Sequence, residues 1–207
     1  MGMNLLILGA TGRTGREVTR AALARGHRVT VYVRSPEKLG SERASLRVEQ
    51  GDALDTERLS AALVGQDAVV SALGLPAKLA LRPNTFMAEA AAATVAAMKR
   101  ARVGRLAIVS AAVLFPGQGL FYAFFRWFLR HHARDLSAME TVVEATDLEW
   151  TIARPPRLVT GNDVRIRVAA GALPEKSYSL SFRALASFLV DCVEYARHGG
   201  EIVGLAR

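Results

Sequence analysis

The chain has one cysteine, Cys192, in 207 residues. A lone thiol excludes an internal disulfide, and its place in the run Ala186-Ser187-Phe188-Leu189-Val190-Asp191-Cys192-Val193 reads as a core helix position rather than an activated nucleophile. No uninterrupted apolar run is long enough to span a bilayer, and the first residues lack a basic leader or cleavage pattern. A cytoplasmic protein without stable membrane insertion is expected. There is no Lys/Arg tract and no basic segment interleaved with aromatics; the net charge of +8 is spread over nearly every helix. Nucleic acid is therefore not an expected partner, because phosphate binding needs clustered cations and single strands need stacking platforms. The same charge steers a polyanionic cofactor toward a cleft. No second ligand set at metal spacing accompanies His131-His132, so two surface histidines are expected and no metal. Internal repeats and low-complexity linkers are also missing. With 51% hydrophobic and 22% charged residues, a chain of this length buries one substantial core, so a single domain over 1–207 is expected.

What is present starts with Asn4-Leu5-Leu6-Ile7-Leu8-Gly9-Ala10-Thr11-Gly12-Arg13-Thr14-Gly15-Arg16-Glu17-Val18, an apolar run that breaks into a glycine-spaced turn and then a helix from Gly15 to Arg25. This is the pattern of a dinucleotide site. Gly9 allows the tight turn, Gly12 lets backbone N–H groups approach a pyrophosphate, and Gly15 lets the helix lie close to the sheet. The helix start, with its unpaired N–H groups, faces the anion. The second strand, His27 to Val33, runs into Arg34-Ser35-Pro36-Glu37-Lys38, where an enzyme that reads a ribose 2′-hydroxyl would carry Asp or Glu. Arg34 suits a 2′-phosphate through paired donors, with Lys38 and Arg13 adding charge, so NADP is expected in preference to NAD. The plain alternative for all three is a solvated surface cation.

Strand-like runs at Leu46–Glu49, Ala68–Ser71, Leu106–Ser110 and Glu149–Ala153 alternate with helical or loop segments. The alternation predicts an α/β, Rossmann-type doubly wound fold: a mainly parallel sheet with helices on both faces and right-handed crossovers. Long helices are predicted over Thr85–Arg102, with Met87, Ala91, Val95 and Met98 on one stripe, and from Asp135 through Thr146. A short strand at Arg165–Val168, a helix over Arg183–Tyr195 and a strand near Ile202-Val203 complete the reading. Ligands of open sheets bind at strand carboxyl ends, which adds Asp52 and Ala53 after the third strand and Ser71-Ala72-Leu73-Gly74 after the fourth. Asp52 either accepts from the adenine amino group or holds its own loop. Gly74 is the better candidate for close backbone approach.

Taken together, Gly9 to Gly15, Val31-Tyr32-Val33-Arg34, Gly51-Asp52, Gly65-Gln66-Asp67-Ala68-Val69-Val70, Val95-Ala96-Ala97-Met98-Lys99 and Leu148-Glu149-Trp150-Thr151-Ile152-Ala153-Arg154-Pro155-Pro156 resemble the atypical short-chain dehydrogenases of the NmrA-like, NAD(P)H-binding group, and most of all its biliverdin-IXβ or flavin reductases. The likeness covers nearly the whole chain. It implies NADPH held by Gly9, Thr11, Gly12, Arg13, Thr14 and Gly15, with Arg34 and Lys38 at the 2′-phosphate. It also implies Asp52 and Ala53 at the adenine, Leu73 and Gly74 along the pyrophosphate, and Pro155, Pro156, Arg157 and Leu158 around the nicotinamide. Such enzymes pass a hydride to a flat conjugated acceptor held parallel to the nicotinamide, with little side-chain chemistry.

The chain departs from these relatives in three places. Ser110-Ala111-Ala112 stands where they carry two consecutive hydroxyl residues, leaving Ser110 as the hydrogen-bonding and catalytic candidate. Arg157 replaces a histidine, which favours an acceptor bearing a carboxylate or phosphate. Leu180 to Leu185 lacks their acid, and Ser181 is expected to cap the following helix. A typical short-chain dehydrogenase pairs Ser with Tyr-x-x-x-Lys; here Tyr122-Ala123-Phe124-Phe125-Arg126 replaces lysine by arginine, which cannot relay the proton. Tyr122 is thus a second catalytic candidate or a structural tyrosine. In Leu120 to Arg130, Phe121, Phe124, Phe125 and Phe128 share one helical face opposite Tyr122, Arg126 and Arg130. That face suits core packing or a dimer contact, a lid within 111–134 that stacks on the acceptor, or a membrane-surface helix. Residues 155–183 are expected to form the substrate side.

The leading expectation is an NADPH-dependent reductase of a planar small-molecule acceptor such as a flavin, quinone or bilin, acting as a monomer or homodimer. The alternatives are an NADP-binding redox sensor that turns nothing over, and a carbonyl reductase or epimerase that uses Tyr122.

Overall fold

In strand β1, Asn4–Leu8, every residue from Leu5 to Leu8 is fully buried. Leu5 and Ile7 pack into one core cluster and Leu6 and Leu8 into another, as the two-residue side-chain period of a strand covered on both faces requires. The structure, a computed structural model, describes residues 2–116 and 127–207. Around β1 the described residues form an eight-stranded sheet of β2 (Arg28–Val33), β3 (Arg47–Gln50), β4 (Ala68–Ser71), β5 (Arg105–Val109), β6 (Glu149–Arg154), β8 (Arg167–Ala170) and β10 (Glu201–Ala206). Its order is β3-β2-β1-β4-β5-β6-β10-β8. All pairs are parallel except β10 with β8. The doubly wound α/β, Rossmann-type architecture is thus established, with one antiparallel strand at the edge. Two strands that local pattern did not announce, β7 (Arg157–Val159) and β9 (Ser179–Ser181), pair with each other in parallel beside the main sheet.

Helices α1 (Arg13–Ala24) and α6 (Phe182–Tyr195) cover one face, where Val18, Ala22, Leu185 and Leu189 meet Leu5, Ile7, Val31 and Val203. Helices α2 (Thr56–Leu63), α4 (Phe86–Ala101) and α5 (Arg130–Glu144) cover the other with Leu59, Met87, Met98, Leu136 and Met139; a single turn, α3 (Ala77–Ala80), precedes α4. The sheet order reverses between β1 and β4, so a crevice opens at their carboxyl ends. That is where open α/β sheets bind ligands.

Three sequence expectations need correcting. Asp135 does not start its helix: α5 begins at Arg130, and Asp135 is 3% exposed with its carboxylate accepting the Met87 and Ala88 N–H groups of the α4 first turn, each at 3.0 Å. An acid expected at the start of its own helix instead caps the neighbouring one, because burial inside α5 aims it at those donors. His131 and His132 are half-buried rather than fully exposed, and burial pushes the His132 imidazole below its ordinary pKa, with Asp135 opposing. The strand expected at Arg165–Val168 lies two residues later, where Val168 and Ala170 pair with Leu205 and Val203. Ser181 does cap α6, accepting from the Ala184 N–H at 2.9 Å. Cys192 is buried, and burial pushes its thiol up to about 12.

Candidate functional site

The glycine turn follows β1 directly. Gly9 has φ +78°, a conformation that costs glycine little, and a Cβ there would overlap the Ala72 carbonyl across the crevice. A Cβ on Gly15 would overlap the Gly9 carbonyl, so the start of α1 lies against the turn as only glycine permits. Gly12, exposed and extended, is the N-cap; its own N–H donates to Gly9 O at 2.9 Å and its carbonyl accepts from Arg16 at 3.0 Å. The N–H groups of Arg13, Thr14 and Gly15 precede that first helical bond. Among the described residues no side chain caps them, and the first turn has no acid. By contrast, Asp55 caps α2, Ser181 caps α6 and Asp135 covers the start of α4. The α1 start is therefore a half-exposed array of donors carrying the positive end of a helix dipole. Thr11 and Thr14 are half-buried beside it, and Arg13 lies 4.8 Å over the Phe182 ring.

At the end of β2, Arg34 and Lys38 are exposed, and no described acid pairs with either. The turn that carries them is tied to the cofactor side by Arg16, whose guanidinium donates to the Lys38 carbonyl and to Thr11 O. After β3, a Cβ on Gly51 would overlap the buried Tyr32 hydroxyl, which in turn donates to Asp52 O at 3.2 Å. Asp52 Oδ1 accepts from Leu54 N–H at 3.0 Å, so this acid does hold its own loop while remaining exposed; Ala53 beside it is buried. After β4, Leu73 is half-buried against the α2 and α4 side of the core, whereas Gly74 is exposed with open space where a side chain would stand.

The carboxyl ends of β5 and β6 meet at Ser110 and Pro155. Ser110 N–H donates to Ala153 O at 2.8 Å, and Ala112 N–H to Pro155 O at 2.9 Å. Ser110 is 7% exposed, and its Oγ has no hydrogen-bond partner among the described residues. A buried hydroxyl without a partner is costly, and the usual reasons for keeping one are a missing water or a ligand. Pro155 and Pro156 are buried beside it; Arg157 is exposed; Leu158 is half-buried and packs on the core through β7. Tyr122 and the aromatic face of Phe121, Phe124 and Phe125 lie outside the described residues, while Phe128 is exposed at the start of the following segment.

Two residues of the site's framework give no local signal in the sequence. Glu140, 4% exposed on α5, accepts from Arg154 Nε at 2.9 Å and from its Nη2, fixing the strand end that leads to Pro155. Phe182 at the head of α6 carries Arg13. Both depend on helices arriving from distant sequence. Among the described residues no group of three or more His, Cys, Asp and Glu is placed to hold a metal, and no helix is long and apolar enough to cross a membrane.

A doubly wound sheet with a glycine turn feeding an uncapped helix at its switch point defines a dinucleotide-binding domain. Residues 9–196 match the family model described as NAD(P)H-binding, and the chain belongs to that family. It is similar over its full length to a Rossmann-fold NAD(P)-binding family protein from Shigella flexneri, with 27% identity, 94% of that chain covered and a TM-score of 0.75. Two further solved structures share the fold. One is a short-chain dehydrogenase/reductase from Veillonella parvula in complex with NADP, with 20% identity, 100% and 95% of the two chains covered and a TM-score of 0.76. The other is ChuY, an anaerobilin reductase from Escherichia coli O157:H7, with 18% identity, 98% and 96% covered and a TM-score of 0.77.

Proposed function

We propose that the protein is an NADPH-dependent reductase that passes a hydride to a planar conjugated acceptor. The observation that carries this is the uncapped α1 start behind a glycine turn that tolerates no side chain at Gly9 or Gly15, with exposed Arg34 at the end of the next strand in place of an acid. The Arg13, Thr14 and Gly15 N–H groups hold the pyrophosphate, and Arg34 with Lys38 holds the 2′-phosphate. Asp52 and Ala53 border the adenine, and Leu73 and Gly74 border the adenosine ribose and the pyrophosphate. NADPH, when bound, supplies the hydride. The chain's part is placement: Pro155 and Pro156 wall the nicotinamide end, Ser110 Oγ donates to the ring's amide or to the acceptor, and solvent supplies the proton. The NADP complex of the Veillonella protein and the bilin chemistry named for the Escherichia protein support the same cofactor and acceptor class.

The test is to titrate NADPH and NADH against the protein by nicotinamide fluorescence, then add FMN and simple quinones and follow NADPH absorbance. Acceptor-dependent oxidation with NADPH preferred supports the reading. Firm NADP binding without oxidation of any acceptor would make the protein a redox sensor, and turnover abolished by Tyr122→Phe would make it a carbonyl reductase or epimerase.

A further inference from the structure

Arg16, half-buried in the first turn of α1, carries donors to two stretches of backbone that lie far apart in sequence. Its Nε donates to the Thr11 carbonyl at 3.4 Å, inside the glycine turn, and its Nη2 donates to the Lys38 carbonyl, in the turn that follows β2. A planar guanidinium with fixed donor directions sets the separation of two carbonyls, which a single ammonium does not. The second turn is tied down on both flanks as well. Gln50 Nε2 donates to the Arg34 carbonyl at 3.3 Å, Lys38 N–H closes onto Ser35 O at 3.1 Å, and Leu39, 1% exposed, enters the core that packs against α1. Beyond it Gly40, at φ +61°, turns the chain away. The backbone of residues 34–39 is thus anchored while the Arg34 and Lys38 side chains stay exposed.

The two segments that Arg16 joins are those assigned above to the pyrophosphate and to the 2′-phosphate. Once the pyrophosphate is seated on the α1 start, the rest of the adenosine half has little freedom, so a cation that reads the 2′-phosphate must already stand at the right distance from the glycine turn. A loose turn would have to be ordered by the cofactor, and that ordering would consume part of the binding energy the phosphate contributes. We infer that Arg16 is a positioning residue that determines cofactor specificity: it sets the preference for NADPH over NADH without touching the 2′-phosphate, by holding the turn of Arg34 and Lys38 at a fixed distance from the glycine turn. This assignment rests on the proposed role of that turn at the 2′-phosphate.

Arg16→Met keeps the apolar stem and removes the donors. The ratio of the NADH to the NADPH dissociation constant, read by nicotinamide fluorescence, is expected to fall about five- to tenfold, while NADH affinity stays within about threefold of wild type. Arg16→Lys, which reaches one carbonyl but not both, recovers part of the ratio. In a protein that already carries Arg34→Ala and Lys38→Ala, Arg16→Met moves the ratio less than about twofold, because no cation is left to position. Hydrogen exchange without ligand gives a second readout: the Lys38 amide exchanges faster in Arg16→Met, while the Leu5 to Leu8 amides of β1 keep the wild-type rate. A ratio that falls equally in both backgrounds overturns the assignment, because Arg16 then touches the phosphate itself. Parallel loss of NADPH and NADH affinity overturns it too, since Arg16 would serve the glycine turn alone, as does an unchanged ratio or an unchanged Lys38 exchange rate. A ratio that survives the loss of Arg34 and Lys38 overturns instead the reading of their turn as the 2′-phosphate site.

Discussion

Arg154 and Glu140 form a buried ion pair, with Nε 2.9 Å from Oε1 and side chains 12% and 5% exposed, and the Phe115 ring centroid 4.6 Å from the guanidinium carbon. The pair joins the end of β6 to α5, which anchors the chain just before Pro155-Pro156. Removing one partner leaves the other charged and buried, a loss of about 3–5 kcal/mol. Glu140→Ala is expected to lower the melting temperature by roughly 10 °C, with Glu140→Gln intermediate because it keeps an acceptor. Urea unfolding of the three proteins checks it; an Ala variant within 1 kcal/mol or so of wild type would mean water replaces the carboxylate.

The proposed role of Arg34 at the 2′-phosphate makes it the position whose loss should separate the two cofactors. Loss of a charge-assisted contact of about 1.5–3 kcal/mol means that Arg34→Ala binds NADPH roughly 10- to 100-fold more weakly. NADH affinity stays within about threefold, since no 2′-phosphate is present to lose the contact. Fluorescence titration with both nucleotides reads the difference, and parallel losses would assign Arg34 to stacking on the adenine.

Asp135 caps α4 from across the helix pair, so Asp135→Ala strands the Met87 and Ala88 N–H groups where Met87 is 3% exposed. The expected cost is about 1–3 kcal/mol, with Asp135→Asn recovering part of it. Hydrogen exchange at those two amides should accelerate more than at the far end of α4.

Burial depresses the His132 pKa, and its Nδ1 has no hydrogen-bond partner among the described residues. Between the lowered folded value and the ordinary value near 6.5, the unfolded chain binds a proton that the folded chain does not, so stability rises with pH across that window. His132 thus contributes stability that is present above about pH 6.5 and is lost as the pH falls through its folded pKa. Melting curves from pH 7.5 down to pH 5 should fall less steeply for His132→Asn than for wild type; identical slopes would place the titration elsewhere.

The Cys192 thiol, pushed up to about 12, stays neutral at pH 8. A disulfide reagent should label it slowly in the folded protein and promptly in denaturant, because the thiolate is the reacting form. Fast labelling of the folded state would show that α6 opens locally.

Much of this architecture is legible in the sequence because β1, β4 and β5 are short apolar runs bounded by turn residues, and because Gly9, Gly12 and Gly15 have fixed spacing. The turn is readable since its chemistry is local: Gly9 needs φ > 0 and Gly15 needs space, and each need is met by one residue type. β7 and β9 escape notice because each has only three residues and they pair with one another across about 20 residues of chain. Asp135 is misread for a related reason. An acid ahead of an apolar stripe looks like a helix start, and only the packing of α5 on α4 shows that it serves the start of α4. Glu140 carries no signal at all until Arg154 is opposite it.

The placement of β10 has a consequence for assembly. It is the last strand along the chain but the seventh across the sheet, bonded to β6 on one side and β8 on the other. During synthesis the nucleotide half of the sheet can form early, whereas β8 has no sheet partner until residues 201–206 leave the ribosome. This side of the sheet is therefore closed by an insertion rather than an addition, and a ribosome stalled before residue 201 would display an open edge on β6 and an unpaired β8 to any neighbouring chain.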